Sequence, residues 1–401
     1  MRENAMNEAN EKAKRLKTEA KRELEEHIIP FWLGFQDKEN GGFYGEMSFS
    51  LEIDKKADKG CILHSRILWF FSNAYRLLRK EELKAAADHA FSFIRGAFFD
   101  KTSLGVFWSV DFRGTPADTT KHTYCQAFAL YALSSYFGAT GSVEAKELAE
   151  SLFELIEERS RDGISYKEAF KCDFSSAEND KLSENGVNAT YTMNTLLHIF
   201  EAYTEYFAQT RDIRAQNAMK SILNIFVSRI WNEEKGRQEV FFDENMRSLI
   251  DLYSYGHDIE SSWLIDKGLF AINDGDLREK AAKITLEMAE NVRKYAISPL
   301  GAVYMEAENG VQNTSCVWWE QAEGVLGFFN AWQKTKEEKF LNSALDAWEF
   351  IKKYIIDERK GGEWHWQTDK NGAPDAEKNA VSAWKCPYHN GRMCFELMER
   401  I

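Results

Sequence analysis

Two kinds of helical pattern alternate along the chain. The first is amphipathic, with apolar positions three and four residues apart and an outer face rich in Ala, Glu and Lys. It covers residues 8–33, 81–97, 143–159, 211–231, 276–295 and 336–356. The second is apolar and aromatic on most sides, and its members start near Cys61, His122, Asn188, His257, Val317 and Tyr388. A helix that is apolar all round is buried. Between each amphipathic helix and the next apolar one lies a connector with a turn, often containing Gly, and a short aromatic run. These are residues 37–44 (DKENGGFY), 100–108 (DKTSLGVFW), 162–166 (DGISY), 232–242 (NEEKGRQEVFF), 298–304 (SPLGAVY) and 357–366 (DERKGGEWHW). Turn residues beside aromatic strand formers predict a small hairpin or an ordered loop.

The unit of outer helix, connector and buried helix therefore occurs six times, with a period of roughly 65 residues, longer than the common two-helix repeats. Six buried helices ringed by six outer ones predict an all-α fold, a closed (α/α)6 barrel with short hairpins or loops at its mouth. The alternative, an open solenoid, would not bury helices so apolar on every side. The first outer helix is expected to pair with the last inner helix. No composition break divides the chain, so residues 1–401 are read as one catalytic domain, with residues 1–20 an extension of the first outer helix.

Composition narrows the function. The formal net charge of −13 argues against nucleic acid or an anionic membrane as partner. Aromatic residues make up 14% of the chain, more than a packed interior needs, and suggest a groove lined by rings. The charged stretch 1–22 has no apolar signal segment, and nothing in the chain reads as a membrane span. Cys61, Cys125, Cys172, Cys316, Cys386 and Cys394 form no Cys-x-x-Cys pair and sit mostly in apolar runs. They read as reduced residues of a cytoplasmic protein. His-x-x-x-His, His-Glu-x-x-His, a calcium loop, a Gly-rich phosphate loop and a Gly-x-Ser-x-Gly elbow are all missing, so no metal and no cofactor is expected.

Each connector leads into the N-terminus of a buried helix, so the six N-termini share one mouth. Polar residues interrupting the apolar runs fall there: His64, Arg66, His122, Tyr124, Asn194, His257, Glu260, Glu323 and His389, with His198 one turn deeper. The stretch 254–264 (SYGHDIESSWL) reads as a turn ending at Gly256 and then a helix, with His257, Glu260 and Trp263 or Leu264 on one face. An imidazole at a helix N-terminus is held toward its neutral form, as a general base requires. The alternative is a buried histidine satisfied by the nearby carboxylate. His389 has the same placement in residues 384–392 (WKCPYHNGR), where Pro387 suits a first helical position. Two such imidazoles at one mouth suit work on opposite faces of a bound molecule. Asn194 and His198, four apart, suit hydrogen bonds to a polyol, and Trp263, Trp318, Trp319 and Trp384 suit stacking on a sugar ring, against core packing as the alternative. Arg66, embedded in an apolar helix, needs either an anionic species to hold or a salt bridge to Glu260 or Glu323.

Residues 59–71 (KGCILHSRILWFF), 254–260 (SYGHDIE) and 384–392 resemble the bacterial cellobiose 2-epimerases of the N-acylglucosamine 2-epimerase superfamily, over a match running from about His27 to the C-terminus. The resemblance implies an (α/α)6 barrel without metal or nucleotide. It also implies reversible C2 epimerisation of the reducing-end sugar of β-1,4-linked disaccharides, cellobiose to glucosyl-mannose and lactose to epilactose. It assigns acid/base roles to His257 and His389, with His389 serving the glucose-type epimer and His257 the mannose-type. It has Arg66, Asn194, His198 and Glu260 hold the open-chain sugar, and Trp319, Glu323 and Trp384 grip the two rings, with Tyr124 on the cleft floor. The connector 302–316 (AVYMEAENGVQNTSC) and the long charged leader depart from the pattern. A disaccharide is the expected partner and a monomer the expected state. The rivals are a monosaccharide or N-acylglucosamine 2-epimerase or mannose isomerase of the same fold, a glycoside hydrolase using Glu260 and Glu323, and a sugar-binding protein without chemistry. The hydrolase leaves the paired histidines without a role, and the binding protein leaves Arg66 unexplained.

Overall fold

The computed structural model describes residues 2–182 and 185–401. Helix α1 (Arg2–Glu23) continues through a π-helical turn (Leu24–Ile28) into α2 (Ile29–Gly34). There follow α3 (Cys61–Leu78), α4 (Glu81–Phe93), α5 (Thr123–Thr140), α6 (Val143–Leu155), α7 (Met193–Thr210) and α8 (Ile213–Ile225). The chain ends with α9 (Tyr255–Gly268), α10 (Gly275–Tyr295), α11 (Trp318–Thr335), α12 (Glu338–Phe350) and α13 (His389–Arg400). The apolar runs are the odd-numbered helices from α3 onward, and they close on themselves. Helix α3 touches α5, α5 touches α7, α7 touches α9, α9 touches α11, α11 touches α13, and α13 returns to α3. Each even-numbered helix from α4 to α12 packs on the inner helix before it, and α1 covers α13. The reason is visible in α3, where every residue from Cys61 to Ala74 is buried. Such a helix loses apolar contact on any side left uncovered.

The connectors repeat one construction. A polar side chain at its start caps each turn by accepting backbone N–H groups two to four residues on: Asp37, Asp100, Asp162, Asn232, Ser298 and Asp357. The residues just ahead of an inner helix then pair antiparallel with the next connector. Lys59–Gly60 pairs with Ser109–Val110, Lys121–His122 with Ala169–Phe170, and Tyr191–Thr192 with Phe241–Phe242. Leu252–Ser254 pairs with Glu306–Glu308, and Cys316–Val317 with Gln367–Thr368. A bridge between Met47 and Val381 joins the sixth unit to the first. These short ladders fix where each inner helix begins.

They also correct three sequence expectations. Helix α7 starts at Met193 rather than near Asn188, because Tyr191–Thr192 is held in a ladder. Gly256 is the second residue of α9 and not the end of a turn. A Cβ there would stand 2.5 Å from both the Trp319 ring and the Glu320 side chain, so its glycine serves the close approach of α9 to α11. Pro387 lies two residues ahead of α13, outside the first helical turn.

The ring is closed by buried and half-buried polar contacts between α1–α2 and the last unit. Trp32 Nε1 donates to Glu363 Oε1 (3.2 Å), Trp364 Nε1 to Glu23 Oε1 (2.8 Å), and Trp348 Nε1 to Glu19 Oε2 (2.9 Å). Lys385 Nζ, fully buried, bonds Glu363 Oε2 at 2.5 Å, and Asn390 also donates to Glu363. Glu363→Ala therefore leaves a buried ammonium and three other donors, Trp32 Nε1, Asn390 Nδ2 and the Trp364 backbone N–H, without their acceptor. The expected cost is about 3–5 kcal/mol, read as a lower urea midpoint; a change within 0.5 kcal/mol (about the scatter of an ordinary surface substitution) would mean that this pair does not hold the ring closed. No helix among the described residues is long and apolar enough to cross a membrane.

Candidate active site

The mouth of the ring opens into a cleft of about 710 Å³. All six inner helices contribute to its wall: Arg66 from α3, Tyr124 from α5, Asn194 and His198 from α7, His257 and Glu260 from α9, Trp318 and Trp319 from α11, and His389 from α13. Trp384 and Trp366 come from the last connector, and Met305, Glu306, Asn313 and Ser315 from the hairpin within 302–316. That departing connector thus forms part of the cleft's outer wall, pairing through Glu306–Glu308 with the strand that ends at Ser254.

The two histidines flank one indole. The Trp319 ring lies 5.0 Å from His257 and 5.3 Å from His389, centroid to centroid. His257 Nδ1 lies 2.7 Å from Ser254 Oγ, so its partner is the hydroxyl three residues back and not the Glu260 carboxylate. His389 Nδ1 lies 2.7 Å from Glu323 Oε1. A carboxylate on Nδ1 selects the tautomer with Nε2 unprotonated and ready to accept a proton. Burial drives the His257 pKa down to about 3, with the charge of His198 adding to the effect. Burial also drives His389 well below its ordinary value, helped by the nearby Arg392 and Arg66. Both rings are neutral at pH 7, as a base that removes a carbon-bound proton must be.

Two buried arginines serve opposite ends. Arg66 has no carboxylate partner among the described residues. Its Nη2 donates to Tyr124 Oη (3.1 Å) and its Nη1 to the Trp384 carbonyl (3.4 Å), while the guanidinium lies over Phe128 (4.3 Å) and Tyr388 (4.5 Å). Arg66 Nε and Asn194 Oδ1 are buried without a hydrogen-bond partner. The salt bridge to Glu260 or Glu323 weighed from sequence is absent. Arg392, by contrast, bonds three carboxylates: Glu201 Oε1 (2.6 Å), Glu323 Oε1 (2.7 Å) and Glu260 Oε1. Burial pushes Glu260 and Glu323 above the usual carboxylate range against the pull of Arg392. At Glu201 the balance is reversed. Burial raises its pKa, but Arg392 and the hydrogen bonds from His198 and Tyr388 outweigh it and hold the carboxyl low.

Several expected site residues lie elsewhere than the sequence suggested. Glu323 and Trp263 stand behind the wall: Trp263 Nε1 donates to Glu323 Oε2 (2.8 Å), so both support His389 where direct ring contact was expected. His64 bonds the backbone of Phe43 and Gly60, and His122 bonds Asn179 and the Tyr124 N–H, so these two hold connectors in place. Arg392, Glu201, Tyr388 and Ser254 were not singled out. A signal existed for two of them: Arg392 is a buried-helix arginine like Arg66, three residues after His389, and Glu201 is three residues after His198. The carboxylates of the hydrolase reading meet on the same Nη2 of Arg392. Both are engaged by that guanidinium, and Glu323 is not among the residues that line the cleft. Glu260, Glu323 and His389 present ligand atoms within 4.8 Å of one another, a grouping that could hold a cation, but the Arg392 guanidinium already bonds both carboxylates.

The cleft thus brings together two neutral imidazoles, a buried guanidinium without a carboxylate partner and indole walls. The chain belongs to the N-acylglucosamine 2-epimerase (GlcNAc 2-epimerase) family, whose model matches residues 42–390, and it is an epimerase, within the isomerases. It is 47% identical to a cellobiose 2-epimerase of Ruminococcus albus over 383 residues, 96% of this chain and 98% of the relative. The solved cellobiose 2-epimerase from Bacillus thermoamylovorans B4167 is 41% identical, with a TM-score of 0.93 over 97% of this chain and 100% of that one. A solved D-mannose isomerase, 21% identical with a TM-score of 0.82 over 97% of this chain and 98% of that one, shares the fold.

Proposed function

We propose that this chain is a single-domain (α/α)6-barrel enzyme that reversibly inverts C2 of the reducing-end sugar of β-1,4-linked disaccharides. It would convert cellobiose to glucosyl-mannose and lactose to epilactose. The observation that carries the reading is the pairing of two neutral imidazoles with a buried, carboxylate-free guanidinium. A hydrogen beside a carbonyl becomes removable once the sugar ring opens. One imidazole takes the C2 proton, the charge moves onto the C1 oxygen, and the enediolate is planar at C2. Arg66, aided by Tyr124, supplies the donor that the oxygen needs. Return of a proton from the opposite face inverts the centre. The imidazole on that face must be charged at that moment, and the adjacent enediolate raises its pKa by attraction. That proton is taken up from solvent, and the Glu260 carboxylate, 3.9 Å from His389 Nδ1, favours the charged form of that ring by attraction. Proton return to C1 instead gives the ketose, so a small isomerase activity accompanies the main reaction. Trp319 and Trp384 stack on the sugar rings, and Asn194 and His198 hold hydroxyls. No step calls on a metal or organic cofactor.

NMR of cellobiose, lactose, mannose and N-acetylglucosamine incubated with the protein tests the reading. Epimers of the two disaccharides should appear much faster than any product from the monosaccharides, and prolonged chelation followed by desalting should leave the rate unchanged. Release of glucose from cellobiose, or turnover of monosaccharides alone, would replace the proposal with one of its rivals.

A further inference from the structure

Arg392 lies outside the cleft wall, yet its bonds reach three groups that matter inside it. Through Glu323 Oε1 (2.7 Å) it meets the carboxylate on His389 Nδ1, also 2.7 Å away. Through Glu201 Oε1 (2.6 Å) it meets the carboxylate whose other oxygen bonds His198 Nδ1 (2.9 Å). Its Nη2 bonds Glu260 directly, and its Nη1 bonds the Tyr388 hydroxyl. The guanidinium plane is held over Tyr388 (4.2 Å) and Trp263 (4.9 Å). We propose that Arg392 is a positioning residue for the reaction: one planar fork orients His389 and His198 through their carboxylates and fixes Glu260 beside them. This rests on the reading of the cleft as an epimerase site with His389 as a base.

Three carboxylates this close repel one another, and each is buried. Unbridged, they would turn apart or take up protons, and a protonated Glu323 would no longer favour the Nδ1–H tautomer of His389. A planar guanidinium can bond separate oxygens from its two ends at once, and an ammonium is a point charge without that fork. Arg392 is three residues after His389 on α13, so base and hub move as one body. Gly391 between them lets α13 sit close to α3, where a Cβ would meet the Phe70 ring at 2.5 Å. The groups facing His389 are Glu323 from α11, Glu260 and His257 from α9, His198 from α7, Arg66 from α3 and Arg392 on its own helix. Arg392 and Arg66 are the cations among them that keep the ring neutral.

The test compares Arg392→Lys and Arg392→Gln with the wild type by steady-state kinetics on cellobiose and by NMR titration of the imidazole nitrogens. Arg392→Lys keeps the charge and loses the fork. Its kcat should fall about 100-fold or more with KM within about threefold, and the His389 pKa should move less than about half a unit. Arg392→Gln also loses the charge, so the His389 pKa should rise by at least about one unit. Should the Gln variant fail to fold, the Lys variant decides alone. A lysine variant with a lower melting temperature but most of its kcat would make Arg392 a purely structural ion-pair partner and overturn the proposal, as would a folded glutamine variant with an unshifted His389. The NMR readout needs no turnover. A wild type inert toward cellobiose combined with the expected His389 shift would refute the disaccharide reading and leave the role of Arg392 standing.

Discussion

His257→Asn and His389→Asn should each abolish net epimerisation, with losses of about 10⁴-fold, the upper end of what a general acid–base group contributes. The reason is geometric. The rings stand on either side of Trp319, and each has its Nδ1 engaged, by Ser254 at one and Glu323 at the other. One base cannot both remove a proton from one face and return it to the other without the intermediate turning over. Asparagine keeps a polar side chain of similar width, so the fold should survive. A pH series separates lost chemistry from lost folding. Both imidazoles have pKa values below the ordinary one, so the unfolded chain binds more protons than the native state once the pH falls below about 6.5. Their favourable effect is complete above that pH and is lost as it falls toward the native values. Each variant should therefore lose less stability than the wild type between about pH 6.5 and pH 4, measured by urea unfolding. Activity above a tenth of the wild-type rate in either variant would remove that histidine from the chemistry.

The second large effect concerns Arg66. Arg66→Met should lower kcat by about 10³-fold, the scale on which removing an oxyanion donor acts. It should also make the protein as stable as the wild type or more so. The native guanidinium is buried between Phe128 and Tyr388 with an unpartnered Nε and without a carboxylate, an arrangement that costs stability in the empty cleft. A methionine of similar length removes that cost. Thermal melts and kinetics on one preparation decide the matter. A strong fall in melting temperature would show that Arg66 is held for the fold, and an unchanged kcat would show that the developing charge is stabilised elsewhere.

The ring of helices was legible because burial leaves a trace: α3, α5, α7 and α11 are apolar or aromatic through most of their length, whereas α9 and α13 carry more polar residues, among them His257, Glu260, His389 and Arg392. The mouth was legible for the same reason, since polar residues such as Arg66, His198 and His389 stand out in those runs. What could not be read was direction. His64 and His122 interrupt apolar helices as His257 does, but they turn toward connectors, and a one-dimensional pattern does not separate the two outcomes. Glu323 and Glu260 looked alike in sequence, yet one lies behind His389 and the other faces the cleft. Arg392 was hidden by its own motif, where His389 drew attention and the charge balance of three distant carboxylates was invisible until the helices met. The start of α7 and the role of Gly256 depended on partners about 50 and about 60 residues away, Phe241–Phe242 and Trp319, beyond the reach of local capping rules.

The most direct measurement is exchange of the C2 hydrogen with solvent, followed by NMR in heavy water for each epimer with each single-histidine variant. His257→Asn retains His389 and should wash the C2 hydrogen out of cellobiose while leaving glucosyl-mannose intact. His389→Asn should do the converse. Equal exchange of both epimers by either variant would contradict the two-base arrangement, because a single imidazole would then be serving both faces of the sugar.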